Sequence, residues 1–148
     1  MTRSMRRRAQ NAAADPKRYS PTTSPNRIRS LGFAIAGCAY MLRHQKNTRI
    51  LLAATAVVIP VATALEIDAL QWSLLILTIG SVWVTEFINA AIEAAVNVSV
   101  SEIHPMAKVA KDVAAAAVLI TVIVAILIGW LILGPPLFDW LKTIAAPA

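Results

Sequence analysis

The stretch Glu86-Phe87-Ile88-Asn89-Ala90-Ala91-Ile92-Glu93-Ala94-Ala95-Val96-Asn97 lies inside an apolar run from Trp72 to Val98. At about 100° per residue, positions 86, 89, 93 and 97 share one narrow stripe of a helix. An ionised carboxylate in hydrocarbon costs at least ~2.5 kcal/mol on insertion scales, so such residues usually mark a working site. The plainer alternative is hydrogen bonding between packed membrane helices.

Outward from this stripe, the chain divides into apolar segments with few charges. Spans are expected over residues 47–65, 70–98 and 106–133, the first matching the ~20 residues that cross a bilayer and the other two longer. Pro60 should kink the first span, and Glu66-Ile67-Asp68 turns the chain into the second. The third should stop at Gly134-Pro135-Pro136, a strong helix terminator. Ahead of all three, residues 27–44 mix Ile28, Leu31, Phe33, Ile35 and Tyr40 with Arg27, Arg29 and Arg43, the pattern of an amphipathic surface helix. With 57% hydrophobic and 15% charged residues, the composition excludes a small soluble domain. The expected fold class is an all-α membrane protein of three transmembrane helices with an N-terminal amphipathic surface helix. Residues 1–26 read as a disordered basic cytoplasmic tail and 135–148 as a short C-terminal extension, with one membrane domain, 27–134, between them. The single cysteine, Cys38, excludes an intramolecular disulfide and reads as a small packing residue.

Charge sets the orientation. Of 14 basic residues, eleven fall in the first 50 positions, whereas the loop after the first span holds only Glu66 and Asp68. The positive-inside rule therefore puts the N-terminus and the loop 99–105 in the cytoplasm. The net charge of +6 is topology and attraction to anionic lipid, not a sign of nucleic acid. Arg6-Arg7-Arg8 precedes no apolar run of signal-peptide type.

Two intramembrane carboxylates near Lys108, Lys111 and Asp112 fit two chemistries. In phosphoryl transfer, one carboxylate holds Mg²⁺ on a nucleotide, a lysine neutralises phosphate, and a second carboxylate takes the proton of an attacking hydroxyl. In ion translocation, acidic residues relay charge across the bilayer. A Gly-rich phosphate loop of the Walker type is absent from the sequence, which excludes a P-loop kinase. The polar residues cluster toward the cytoplasmic side without a path through all three spans, which counts against transport.

The run from Glu86 to Asn97 resembles the signature of the prokaryotic diacylglycerol kinase family, Glu-x-x-Asn-(Ser/Thr/Ala)-Ala-Ile-Glu-x-x-Val-Asp. The run His104-Pro-Met-Ala-Lys-Val-Ala-Lys-Asp-Val-Ala-Ala-Ala-Ala-Val-Leu-Ile120 is similar to its second block, in a version closest in character to the undecaprenol kinase branch. The resemblance covers about residues 27–133. It implies a small integral-membrane lipid kinase, a homotrimer of three-helix protomers in the plasma membrane of a prokaryote. ATP would be the donor, Mg²⁺ the metal, and diacylglycerol or undecaprenol the acceptor. It further implies Glu86 as catalytic base, Asn89 as the residue orienting substrate or phosphate, and Glu93 as a metal ligand. Lys111, Asp112 and Asn97 would face the nucleotide.

Two positions depart from the family pattern. Asn97 stands where the signature ends in aspartate. Gln45, in Arg43-His44-Gln45-Lys46-Asn47, stands where the family places a metal-binding glutamate. An amide oxygen is a weaker Mg²⁺ ligand than a carboxylate. The competing expectation is accordingly a catalytically impaired member, or an ion-coupled membrane carrier that keeps the fold. His44 and His104 are not expected to bind metal; His104 belongs to a His-Pro helix cap.

Overall fold

A computed structural model describes residues 27–99 and 104–145. The basic tail 1–26, most of the loop expected at 99–105 and the last three residues lie outside the described residues. Four helices make up the described chain: α1 (Arg27–His44), α2 (Lys46–Ala64), α3 (Ala69–Ser99) and α4 (Pro105–Ala145). The last three are long and apolar enough to cross a membrane. All are helical for the same reason: in hydrocarbon a backbone must satisfy its own N–H and C=O groups, and only a helix does so within one segment.

The chain falls into two units, residues 1–40 and 41–148. In the first, α1 exposes Ile28, Leu31, Phe33 and Ile35. Cys38, expected as a packing residue, is also exposed there.

In the second unit, the turn from α2 to α3 is closed by two local motifs. At the end of α2, Glu66 N donates to Thr63 O at 3.2 Å and Ile67 N to Ala62 O at 3.5 Å. This is the Schellman arrangement, and its apolar contact is present as well, since Ile67 and Ala62 share one buried cluster. Glu66 takes the left-handed position at φ 51° that glycine usually fills. Asp68 then starts α3: its Oδ1 accepts from Gln71 N at 2.8 Å, while Gln71 Oε1 accepts from Asp68 N at 2.9 Å. That reciprocal pair is a capping box. Leu75 and Ile132 complete the buried cluster around this turn. At the start of α4, His104 Nδ1 accepts from Met106 N at 3.2 Å with Pro105 in the first helical position, as the His-Pro cap requires.

Helices α3 and α4 run antiparallel, and two cross-helix hydrogen bonds fix their register. Lys111 Nζ donates to Asn97 Oδ1, and the hydroxyls of Thr85 and Thr121 meet at 2.9 Å. Helix α2 is joined to α3 by Trp83 Nε1, which donates to Thr55 Oγ1 at 3.2 Å.

The expected stop at Gly134-Pro135-Pro136 is corrected: α4 continues through both prolines to Ala145. Proline removes an N–H and crowds the preceding turn, a cost that membrane helices tolerate where neighbouring groups re-satisfy the freed carbonyls. The ring of Trp130 packs beside Gly134 and meets Phe138 edge-on, with centroids 6.0 Å apart, so side chains span the proline step. Pro60 likewise sits within a continuous α2.

Candidate active site

Glu86 and Asn89 are buried, at 4% and 8% exposure, the two deepest polar groups of α3. Such burial of a carboxyl needs a partner. The side chain of Asn47, in the first turn of α2, lies beside Glu86 in the wall of the same groove. One turn further along the stripe, Asn89 Nδ2 donates to Glu93 Oε1 at 3.3 Å. Because the amide nitrogen is committed to Glu93, Asn89 presents its carbonyl oxygen elsewhere, and that oxygen is buried without a hydrogen-bond partner among the described residues. Glu86 is also close enough to Glu93 for their charges to interact.

The stripe continues to Asn97, whose Oδ1 accepts from Lys111 Nζ at 2.6 Å. Glu86, Asn89 and Glu93 thus form one linked group, and Asn97 with Lys111 a second group one turn beyond it. Asp112 is not part of either. It is exposed and forms an ion pair with Lys108, one turn before it on α4. Gln45 is half-buried and occupies the N-cap position of α2, where its side chain caps nothing.

Among the described residues, no three His, Cys, Asp or Glu side chains converge as a metal cage. Mg²⁺ seldom needs one, since it is commonly held by one or two carboxylates together with substrate phosphates. Glu93 has a second oxygen beyond the one that accepts from Asn89, and it stands next to the buried, unpartnered oxygen of Asn89. This donor set fits a cation carried by a nucleotide.

A groove of about 410 Å³ opens at Glu86 and Asn89, with Asn47 beside them and Leu51, Val82 and Val122 further along. Its polar end and apolar walls suit an amphiphile whose reactive group meets the carboxyl. Sequence reasoning missed Asn47, although it completes the Asn-ending segment compared above for Gln45. It also missed Thr85, Thr121, Trp83 and Thr55, for which composition offers no signal.

Comparison with known proteins gives the family. Residues 32–133 match the family described as prokaryotic diacylglycerol kinase. The diacylglycerol kinase of Synechocystis sp. is 38% identical over 117 residues, 78% of this chain and 67% of the relative. The undecaprenol kinase of Bacillus subtilis is 35% identical over 95 residues, 64% of this chain and 77% of the relative. The diacylglycerol kinase of Escherichia coli K12 is 42% identical over 89 residues, 60% of this chain and 68% of the relative. With more than half of its length matched, the chain belongs to the prokaryotic diacylglycerol kinase family of membrane lipid kinases.

Proposed function

We propose that this lipid kinase transfers the γ-phosphoryl group of ATP to the hydroxyl of a membrane lipid alcohol at the cytoplasmic face. The observation that carries the reading is the buried Glu86 carboxyl, which stands beside Asn47 and Asn89 at the polar end of an otherwise apolar groove. The lipid oxygen bonds to the γ-phosphorus, the bond from that phosphorus to the ADP oxygen breaks, and the hydroxyl proton passes to Glu86. Asn89 holds Glu93 in place and orients the reacting group with its free carbonyl oxygen. Lys111, positioned by Asn97, meets the polyphosphate. Asp112 lies at the nucleotide's edge, paired with Lys108. Glu93, with Gln45 as a weaker contributor, would hold Mg²⁺, which when bound offsets phosphate charge.

In this reading residues 27–134 form the kinase domain, α1 lies in the membrane interface, the N-terminus is cytoplasmic, and the working unit is a homotrimer. The small residues Ala90, Ala91, Ala94 and Ala95 on α3 and Ala114 to Ala117 on α4 permit the close helix approach that such packing uses. The apolar cluster of Ala62, Ile67, Leu75 and Ile132 at the far end speaks against a continuous ion path.

The test is transfer of labelled phosphate from ATP to diacylglycerol or undecaprenol by the purified full chain, with and without Mg²⁺. Phosphorylated lipid is the expected product. Binding of lipid with no transfer under any metal condition would favour an impaired member.

A further inference from the structure

Building on the kinase reading, we infer that the groove seats the tail of the lipid alcohol, and that it takes one long polyprenol chain in preference to the paired chains of a glycerolipid.

Below the groove at Glu86 lies a second one of about 310 Å³, and the two share Leu51, Ala54, Val82 and Val122 as walls. They form one trough, which begins at Glu86 and Asn89 and ends at Gly129 and Leu133. From Glu86 to Leu75 along α3 the trough descends eleven residues, about 16 Å at the helical rise. From Val118 to Leu133 along α4 it descends about 22 Å by the same measure. Half of a ~30 Å hydrocarbon core is about 15 Å, and Glu86 already lies inside a span, so the trough continues past the bilayer midplane. An acyl chain anchored in one leaflet ends near that plane. A polyprenol does not.

The walls suit such a chain over their whole length. The threonines of the lower part turn their hydroxyls onto their own helix: Thr55 Oγ1 donates to Leu51 O at 2.8 Å and Thr78 Oγ1 to Leu74 O at 2.7 Å. The lower wall therefore presents carbon. The two grooves share walls and follow one another along α3 and α4 as one path, whereas a diacylglycerol brings two chains to one hydroxyl. At the deep end, a Cβ on Gly129 would meet nothing within 4 Å, so the space beyond it is open.

That opening supplies the test. Gly129→Leu has room for its side chain and replaces a poor helix former with a good one, so the variant should fold. The full chain is assayed in lipid nanodiscs with undecaprenol, with geraniol as a short isoprenoid alcohol, and with dioleoylglycerol. The wild type should favour undecaprenol over dioleoylglycerol in kcat/KM. Gly129→Leu should raise KM for undecaprenol about tenfold, the scale on which a pocket senses a displaced methylene or two, with kcat little changed. Geraniol, whose chain ends above the plug, should be affected less than about twofold on the same scale. Equal losses on both isoprenoids, no loss on either, or preference for dioleoylglycerol would overturn the inference.

A second measurement does not depend on turnover. A polyprenol carrying a photoreactive diazirine at its far end should label residues around Gly129 and Leu133 in the wild type. Labelling without phosphorylation of any lipid would sink the kinase reading and keep the trough. Phosphorylation without such labelling would do the reverse. Chain-to-chain cross-links from the trough, in place of lipid labelling, would show that a second copy of the protein fills it and would also overturn the inference.

Discussion

Asn47 on α2 and Glu86 on α3 meet at the polar end of one groove, an amide of the first span set beside a buried carboxyl of the second. A buried acidic group needs such a polar neighbour.

Two substitutions separate the chemistry of Glu86 from its placement. Glu86→Gln keeps the shape of the side chain but removes the basic oxygen. Phosphoryl transfer should fall by about 10²- to 10⁴-fold, the usual contribution of a general base, with ATP affinity nearly unchanged. Asn47→Leu leaves the base but frees its orientation, so kcat should fall by a smaller factor than in Glu86→Gln. Near-normal turnover of Glu86→Gln would remove Glu86 from the mechanism.

Glu93 and Lys111 form the nucleotide side of the proposed site, each tied to an amide of the stripe. Truncating either to alanine should raise the apparent KM for Mg-ATP more than that for lipid, because the lost interactions are with phosphate. Steady-state kinetics with each substrate varied in turn gives the answer. A change confined to lipid KM would place the nucleotide elsewhere.

Much of this architecture is legible from the sequence, for identifiable reasons. Span length and the polar stripe are properties of single helices, so hydropathy and a 3.6-residue period reveal them. The partners of the stripe are different. Asn47 with Glu86, Thr85 with Thr121, and Trp83 with Thr55 depend on the relative register of two helices, which no single-helix period encodes. Asp68-x-x-Gln71 was readable as a capping box from its spacing, whereas Glu66 in a left-handed position was not, because residue identity there favours glycine. The end of α4 defied the proline rule, which weighs the backbone alone and not the side-chain contacts of Trp130 with Gly134 and Phe138 across the step.

The α2–α3 turn permits a stability test in both directions. Glu66 adopts φ 51°, a conformation that costs a residue with a Cβ about 1 kcal/mol or more. Glu66→Gly removes that cost and should raise the unfolding free energy, less the entropy that glycine restores to the unfolded chain. Asp68→Ala deletes the side chain that caps α3 and should lower it by about 1 kcal/mol. Reversible unfolding in mixed micelles measures both. Kinase activity should be retained in each, since the turn lies at the end of the bundle away from Glu86.

Gln45 bears on metal affinity. In the family resemblance it stands at a metal-binding glutamate, and in the structure it sits half-buried at the head of α2 with a side chain that caps nothing. Its amide offers a dipole where a carboxylate would offer a full charge, and hard cations prefer anionic oxygen. Gln45→Glu should therefore lower the Mg²⁺ concentration for half-maximal activity at saturating ATP, and Gln45→Ala should change it little. The head of α2 already carries Arg43, Lys46 and Arg49 nearby in sequence, so a nonspecific charge effect must be separated from ligation. Repeating the Mg²⁺ titration at high salt does this, because exposed charges more than a Debye length apart are screened and a ligand is not. A shift that persists at high salt marks position 45 as a metal contact. Superimposable titrations of wild type and Gln45→Glu would leave Glu93 and the nucleotide as the only holders of the metal.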